Sequence, residues 1–307
     1  MQINLFYYLV TNLLFLQLLS LEVEVIHIVL TAICGVGIAT LGIAHGAIDD
    51  HLSGVGFGKK RITFIIYYVL ALCLFAFIWY VKSEIALILF LVTSSFHFGQ
   101  TQLVNIKIKS RFFSWFFNFS WGSLVISALI FLNKDSLSVI DNDYFLFPSS
   151  FKYLTIYSSY YFATSLIFVF VVFLILFWKN YASLNILFKE IYLLVIIGCS
   201  FYIMDPFIAF ALFFVIIHAL KAMTQEYAFC KNKKIATSYK DFFKLFFPLT
   251  LISLFMVFAM TFAMYYFDYL HLLPYLLLIF LSCITIPHSF VMDRFYGSNK
   301  NIINSIP

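Results

Sequence analysis

Runs of about twenty apolar residues, broken by short polar stretches, recur along the whole 307-residue chain. A helix needs about 20 mostly apolar residues to cross the hydrocarbon core of a bilayer. The pattern therefore predicts ten spans, over 4–20, 25–47, 62–81, 85–104, 112–132, 155–178, 187–204, 206–225, 245–266 and 270–292. The seventh and eighth meet at "MDPF", where Pro206 suits the first turn of a new helix and disfavours continuation of the old one. The first run lacks a basic leader and a small-residue cleavage site, so a retained helix is expected there. The expected fold class is an all-α, polytopic membrane bundle forming one domain over 1–307.

The polar breaks carry a charge pattern. Lys59, Lys60 and Arg61 follow the second run; Lys107, Lys109 and Arg111 follow the fourth. Lys179 and Lys189 flank the sixth break, Lys231, Lys233, Lys234, Lys240 and Lys244 the eighth, and Arg294 and Lys300 follow the tenth. The odd-numbered breaks hold only Lys82, Lys134 and Lys152, mixed with acids such as Glu22, Glu84, Asp141 and Asp268. By the positive-inside rule both termini are expected in the cytoplasm of a multi-pass protein of the cell (inner) membrane. The longest outer connection, "NKDSLSVIDNDYFLFPSSFK", has no catalytic spacing.

Composition agrees: 64% of residues are hydrophobic and 11% charged, which excludes an ordinary soluble domain at about 45 to 50% apolar. The net charge of +5 is explained by topology, so no nucleic-acid partner is implied. Cys34, Cys73, Cys199, Cys230 and Cys283 show no metal-ligand spacing, and most lie in apolar runs, where buried small side chains are expected rather than disulfides.

The candidate chemistry lies in the histidines. His27 and His271 fall near the outer starts of spans two and ten, where a solvated imidazole is expected, and His51 lies just past span two. The other four are His45 in "IAHGAIDD", His97 in "SSFHFGQ", His218 in "VIIHALKAM" and His288 in "TIPHSFVM", each in a different even-numbered span and one to four turns before a basic cluster. They share the inner half of the bundle at comparable depth. Ionisable groups at membrane depth normally face a protein interior and mark a functional site, and converging imidazoles suit a transition metal. Each histidine alone is equally well a donor to a backbone carbonyl of a neighbouring helix.

Asp49, four residues after His45 on one helical face, is placed either to hold an imidazole N–H or to cap the helix end. Gly46 and Gly99 allow close approach of backbone or substrate, or ordinary helix packing. Pro287 frees a backbone carbonyl beside His288. Phe96, Phe98, Phe213 and Phe214 are candidates to line a polyene pocket, or to pack in the core or against lipid.

The elements "AHGAIDDH", "FHFGQ", "IHALKA" and "PHSF", in that order, resemble the motifs of the membrane β-carotene 15,15'-dioxygenases of bacteria and archaea, the bacteriorhodopsin-related Brp/Blh family. The resemblance covers nearly the whole hydrophobic chain through four short motifs. It implies a non-haem Fe(2+) enzyme that cleaves the central double bond of β-carotene, or a related carotenoid, with O2 to give two retinals. It implies iron held by histidines alone, at His45, His97 and His218 in this chain; on that hypothesis Asp49, the candidate catalytic-site residue, acts from behind the ligands. A rhodopsin as recipient of retinal belongs to the same expectation. One departure stands out: the family's third motif has a second histidine four residues after the first, and here that position is Ala222. Either His288 completes a four-nitrogen site, or three histidines suffice, or the chain is a carotenoid- or retinal-binding paralogue with reduced or lost catalysis. Ala44, Ile217, Gln100 and Gln102 are smaller departures.

A transporter or proton relay is a competing class, disfavoured by the lack of paired repeat halves and the few acids in the spans. A haem protein with histidine axial ligands is another, distinguished by its absorbance spectrum. A lipid-dissolved polyene about as long as the bilayer is thick suits an enzyme embedded in that bilayer, which receives substrate laterally.

Overall fold

A computed structural model describes residues 2–54, 59–106, 108, 110–138, 149–269 and 273–303, and the regular structure among them is entirely helical. In lipid a backbone has no water to bond, so a chain this apolar closes its hydrogen bonds within helices. The helices are α1 (Gln2–Leu19), α2 (Glu24–Gly37), α3 (Asp49–Leu52), α4 (Lys59–Val81), α5 (Ser83–Leu103) and α6 (Arg111–Leu132). They continue as α7 (Ser149–Ile156), α8 (Ser158–Trp178), α9 (Leu184–Ile203), α10 (Pro206–Leu212), α11 (Leu220–Asn232), α12 (Tyr239–Tyr266) and α13 (Leu273–Ile303). Two π-helical segments interrupt this α-helical order, Ile38–Gly42 after α2 and Phe213–Ala219 between α10 and α11.

Eight of the described helical stretches are long and apolar enough to cross a membrane: Glu24–Gly42, Lys59–Val81, Arg111–Leu132, Ser158–Trp178, Leu184–Ile203, Pro206–Asn232, Tyr239–Tyr266 and Tyr275–Ser298. The remaining two expected spans are helices of different character. The first is apolar over the shorter stretch Asn4–Leu19. The fourth, α5, is polar in its second half and buries Ser94, Ser95, His97, Gln100, Thr101 and Gln102, so neighbouring helices rather than lipid surround that half. The break at "MDPF" falls where expected, with the Asp205 side chain capping α10 by accepting from the Phe207 N–H at 2.9 Å. His271, Lys107, Lys109 and residues 139–148 of the long connection lie outside the described residues.

The outer surfaces of the bundle are apolar. Phe6, Ile66, Phe170, Tyr192 and Phe255 are all more than half exposed, a surface that suits acyl chains and would aggregate in water. Inside, three apolar clusters hold the helices: one joins α1, α2, α5, α6 and α8 to α10, a second joins the α2–α3 connection to α11, α12 and α13, and a third joins α4, α5 and α13. The four buried histidines lie on elements shared among these clusters.

The α5–α6 contact fixes the position of the histidine on α5. Gly99 faces the backbone of Asn118, and Gly122 faces the backbone of Ser95, so closely that a Cβ at either position would overlap main-chain atoms. Small residues at such crossings let membrane helices approach. Gly99 is thus a helix-packing residue and does not make room for substrate. Gly99→Ala is expected to lower stability despite alanine's advantage of about 1 kcal/mol in helix propensity, because overpacking costs about 1 to 3 kcal/mol and the group met here is main chain that cannot turn aside. Thermal unfolding of the detergent-solubilised protein checks this, with a fall in midpoint expected for Gly99→Ala and none for Gly198→Ala, where a Cβ meets open space.

Candidate metal centre

His45, His97, His218 and His288 come together in the bundle interior, each at most 4% exposed. Ring centroids lie 4.6 Å apart for His45 and His288, 4.8 Å for His97 and His218, 4.9 Å for His97 and His288, and 5.2 Å for His45 and His218. One ring nitrogen from each of His45, His97 and His288 lies within 4.8 Å of the others. His218 joins through His97, Nε2 to Nε2 at 3.2 Å. His288, outside the three-ligand set that the family motifs imply, therefore belongs to the trio whose ring nitrogens converge.

Local backbone irregularity brings these rings inward. His45 follows a π-helical segment and sits in a turn, and His218 lies within the second π-helical segment. Such single-turn π insertions rotate the following side chains off the regular helical face and recur at functional sites. Gly42, the last residue of the first segment, is packed against the Phe214 ring of the second, where a Cβ would collide with Cε1. Gly46 lies against the His288 imidazole, a Cβ falling 3.4 Å from Nδ1.

The hydrogen bonds fix which nitrogens remain available. His45 Nδ1–H donates to the Gly42 carbonyl at 2.5 Å, which leaves Nε2 with a lone pair and no partner among the described residues. His288 Nδ1–H donates to the Asp49 carboxylate, 2.9 and 3.0 Å from its two oxygens, and again Nε2 is left unpartnered. Buried polar atoms are normally satisfied, so unpaired imidazole nitrogens facing one another are the signature expected of a ligand-accepting site. A carboxylate behind an imidazole is the arrangement that orients metal-bound histidines and raises their basicity. The donor set, all nitrogen and buried, fits a divalent transition metal.

Asp49 does not serve His45, as a continuous helix would require. Residues 45–48 are turns, so the four-residue spacing no longer places the two side chains on one face, and Asp49 starts α3 pointing at His288 across the bundle. Its second partner is Tyr68 of α4, whose hydroxyl donates to Oδ2 at 2.9 Å. Tyr68 is not marked by local pattern, being one of twenty tyrosines and without any spacing to a histidine motif. His51 stands apart, near Asp50, which pairs with Arg61 at 2.6 Å, and His27 is exposed. Pro287 lies inside α13, which continues through it. The five cysteines are free and take no part in the cluster; Cys34, Cys230 and Cys283 are buried as expected, whereas Cys73 and Cys199 are exposed on the apolar surface of the bundle.

A cavity of about 30 Å³ opens beside the histidines, lined by Phe90, Phe98, Phe210, Phe214, Leu281 and Ile284 among others. Phe98 and Phe214 therefore line it as expected, whereas Phe96 turns to Trp115 and Phe213 packs between Phe98 and Phe201. A second buried polar group lies nearby: the Gln102 amide donates to both oxygens of Glu190 at 2.9 Å, and Lys221 donates to Gln102 Oε1 at 2.8 Å. These groups satisfy one another and tie α5, α9 and α11 together.

Fold and site together define a polytopic helical membrane protein with a buried, carboxylate-backed cluster of imidazoles in an apolar interior. The β-carotene 15,15'-dioxygenase family model matches residues 36–296, a stretch that includes all four histidines and Asp49. The chain belongs to that family. No curated protein and no solved structure matches it.

Proposed function

We propose that this chain is a non-haem iron(II) dioxygenase that cleaves the central 15,15' double bond of β-carotene, or a closely related carotenoid, with O2 to give two molecules of retinal. The observation that carries the reading is the pair of unpartnered Nε2 atoms, on His45 and His288, buried beside the His97–His218 contact. His45, His97, His218 and His288 would hold Fe(2+), which when bound supplies the redox chemistry with O2. Asp49 keeps the proton of His288 on Nδ1 and so keeps its Nε2 free to ligate, and Tyr68 holds the carboxylate in turn. Asp49 is therefore a positioning residue.

The apolar lining of the cavity excludes water and favours a polyene and O2 over polar competitors. About 30 Å³ accommodates a molecule the size of water or O2, not a C40 polyene, so substrate entry on this reading requires Phe90, Phe210 or Leu281 to move aside. The carotenoid arrives from the bilayer, and both termini face the cytoplasm of the cell membrane. A rhodopsin is a natural acceptor for the aldehyde product.

Ala222 favours a second reading, a carotenoid- or retinal-binding paralogue without turnover, because it stands where the family motif carries a histidine and is fully buried. The two readings separate on expression in a β-carotene-producing bacterium with assay of retinal and of iron in the purified protein. Retinal from the wild-type chain with about one iron per chain is expected, and Ala222→His leaves both unchanged because His288 already supplies the fourth nitrogen. Retinal from Ala222→His alone, with none from the wild type, would support the non-catalytic paralogue.

A further inference from the structure

A second and much larger cavity, about 500 Å³, lies away from the histidines, between the end of α5, the start of α6 and the second half of α13. Its volume is within the range of ligand sites, about 300 to 1,000 Å³. Leu103, Val104, Trp115 and Phe290 give it apolar walls, and Arg111, Arg294, Asp293 and Gln100 give it polar ones. It lies beside Arg111 and Arg294, members of two of the basic clusters that flank the apolar spans of the sequence.

The charges in the cavity are unevenly satisfied. Asp293 accepts from the Gln100 amide at 2.9 Å and from Arg111 at the longer distance of 3.4 Å. Arg111 is mostly exposed and also stacks over Trp115, 5.2 Å from the ring centre. Arg294 has no carboxylate partner among the described residues. Two guanidiniums against one carboxylate leave the cavity with a net positive charge. Gln100 lines the cavity, and its side-chain oxygen is buried with no hydrogen-bond partner among the described residues.

The geometry points to a binding site for one anionic phospholipid. Its phosphate sits between Arg111 and Arg294, and an acyl chain descends along Trp115 and Phe290 towards lipid. Basic pockets between membrane helices take acidic headgroups in this manner. Charge selects the anion, and the apolar walls select a lipid over free phosphate. The site is separate from the histidine cluster and does not depend on the activity assigned to it.

The test is native mass spectrometry of the full chain, delipidated in detergent and titrated with phosphatidylglycerol, phosphatidic acid or phosphatidylcholine. Phosphatidylglycerol and phosphatidic acid are each expected to bind about tenfold more tightly than phosphatidylcholine. Arg111→Gln/Arg294→Gln should abolish the preference for anionic lipid. Ser114→Trp, which fills the cavity but keeps both charges, should reduce phosphatidylglycerol binding too. Unaltered thermal unfolding shows that each variant is folded. Equal retention of the three lipids, a preference that survives loss of both arginines, or displacement of the lipid by millimolar inorganic phosphate would overturn the assignment.

Discussion

Replacing His97 with alanine is expected to strip the protein of iron and to abolish retinal formation, with little effect on the fold. His97 contacts all three of the other imidazoles, at centroid distances of 6.0, 4.8 and 4.9 Å, and its Nε2 faces that of His218. Its removal takes one nitrogen from the converging trio and leaves His218 without its Nε2 contact. Loss of a partner behind a ligand already costs about 10 to 100-fold in metal affinity, so loss of the ligand itself should exceed about 100-fold. The alanine cavity borders a void that already exists, and the helix keeps its packing through Gly99 on the other face of α5. A destabilisation of about 1 to 3 kcal/mol is expected, the ordinary range for a point substitution. Iron content by plasma mass spectrometry, retinal by chromatography and unfolding temperature together check the prediction. Full iron content with full activity in the variant would remove His97 from the site.

Asp49→Ala should have the next largest effect, and for a different reason. The carboxylate satisfies the His288 Nδ1–H and the Tyr68 hydroxyl at once. Without it both donors are buried and unpaired, at a cost of about 1 to 3 kcal/mol each, and the proton of His288 is no longer held away from Nε2. Iron affinity should fall by about 10 to 100-fold. Asp49→Asn should fall between, because the amide oxygen still accepts from Nδ1–H but brings no negative charge. Tyr68→Phe removes only the hydroxyl behind Asp49 and should weaken iron binding least of the three. Titration of the apo-protein with ferrous iron gives the order directly. A purely structural Asp49 would lower the unfolding temperature while leaving the iron affinity of the folded fraction unchanged, and iron content at saturating metal separates the two.

Much of this architecture was legible in the sequence because hydrophobic periodicity over twenty residues depends on the solvent rather than on tertiary detail. The break at Pro206 and the sorting of histidines onto separate helices followed from such local rules. The inner half of α5 was harder, since "SSFHFGQTQL" has the polarity of an interface and is buried by helices distant in sequence. The convergence of His45, His97, His218 and His288 was suggested by depth alone. The partner of Asp49 was not legible, because the four-residue spacing to His45 assumes a helix that the turn at 45–48 interrupts. Nothing in "IATLG" or "FFVIIHA" marks them as π-helical, and the contact from Tyr68 is a tertiary one between α4 and α3. Buried pairs such as Gln102 and Glu190, 88 residues apart, escape a reading of local pattern for the same reason.

X-ray absorption at the iron edge of the metal-loaded, detergent-solubilised protein examines the ligand set itself. An iron bound one per chain in a shell of nitrogen scatterers, with the outer-shell scattering of several imidazole rings that diminishes in His288→Ala, is the predicted result. A shell dominated by carboxylate oxygen or sulfur, or one unchanged by loss of His288, would contradict the account.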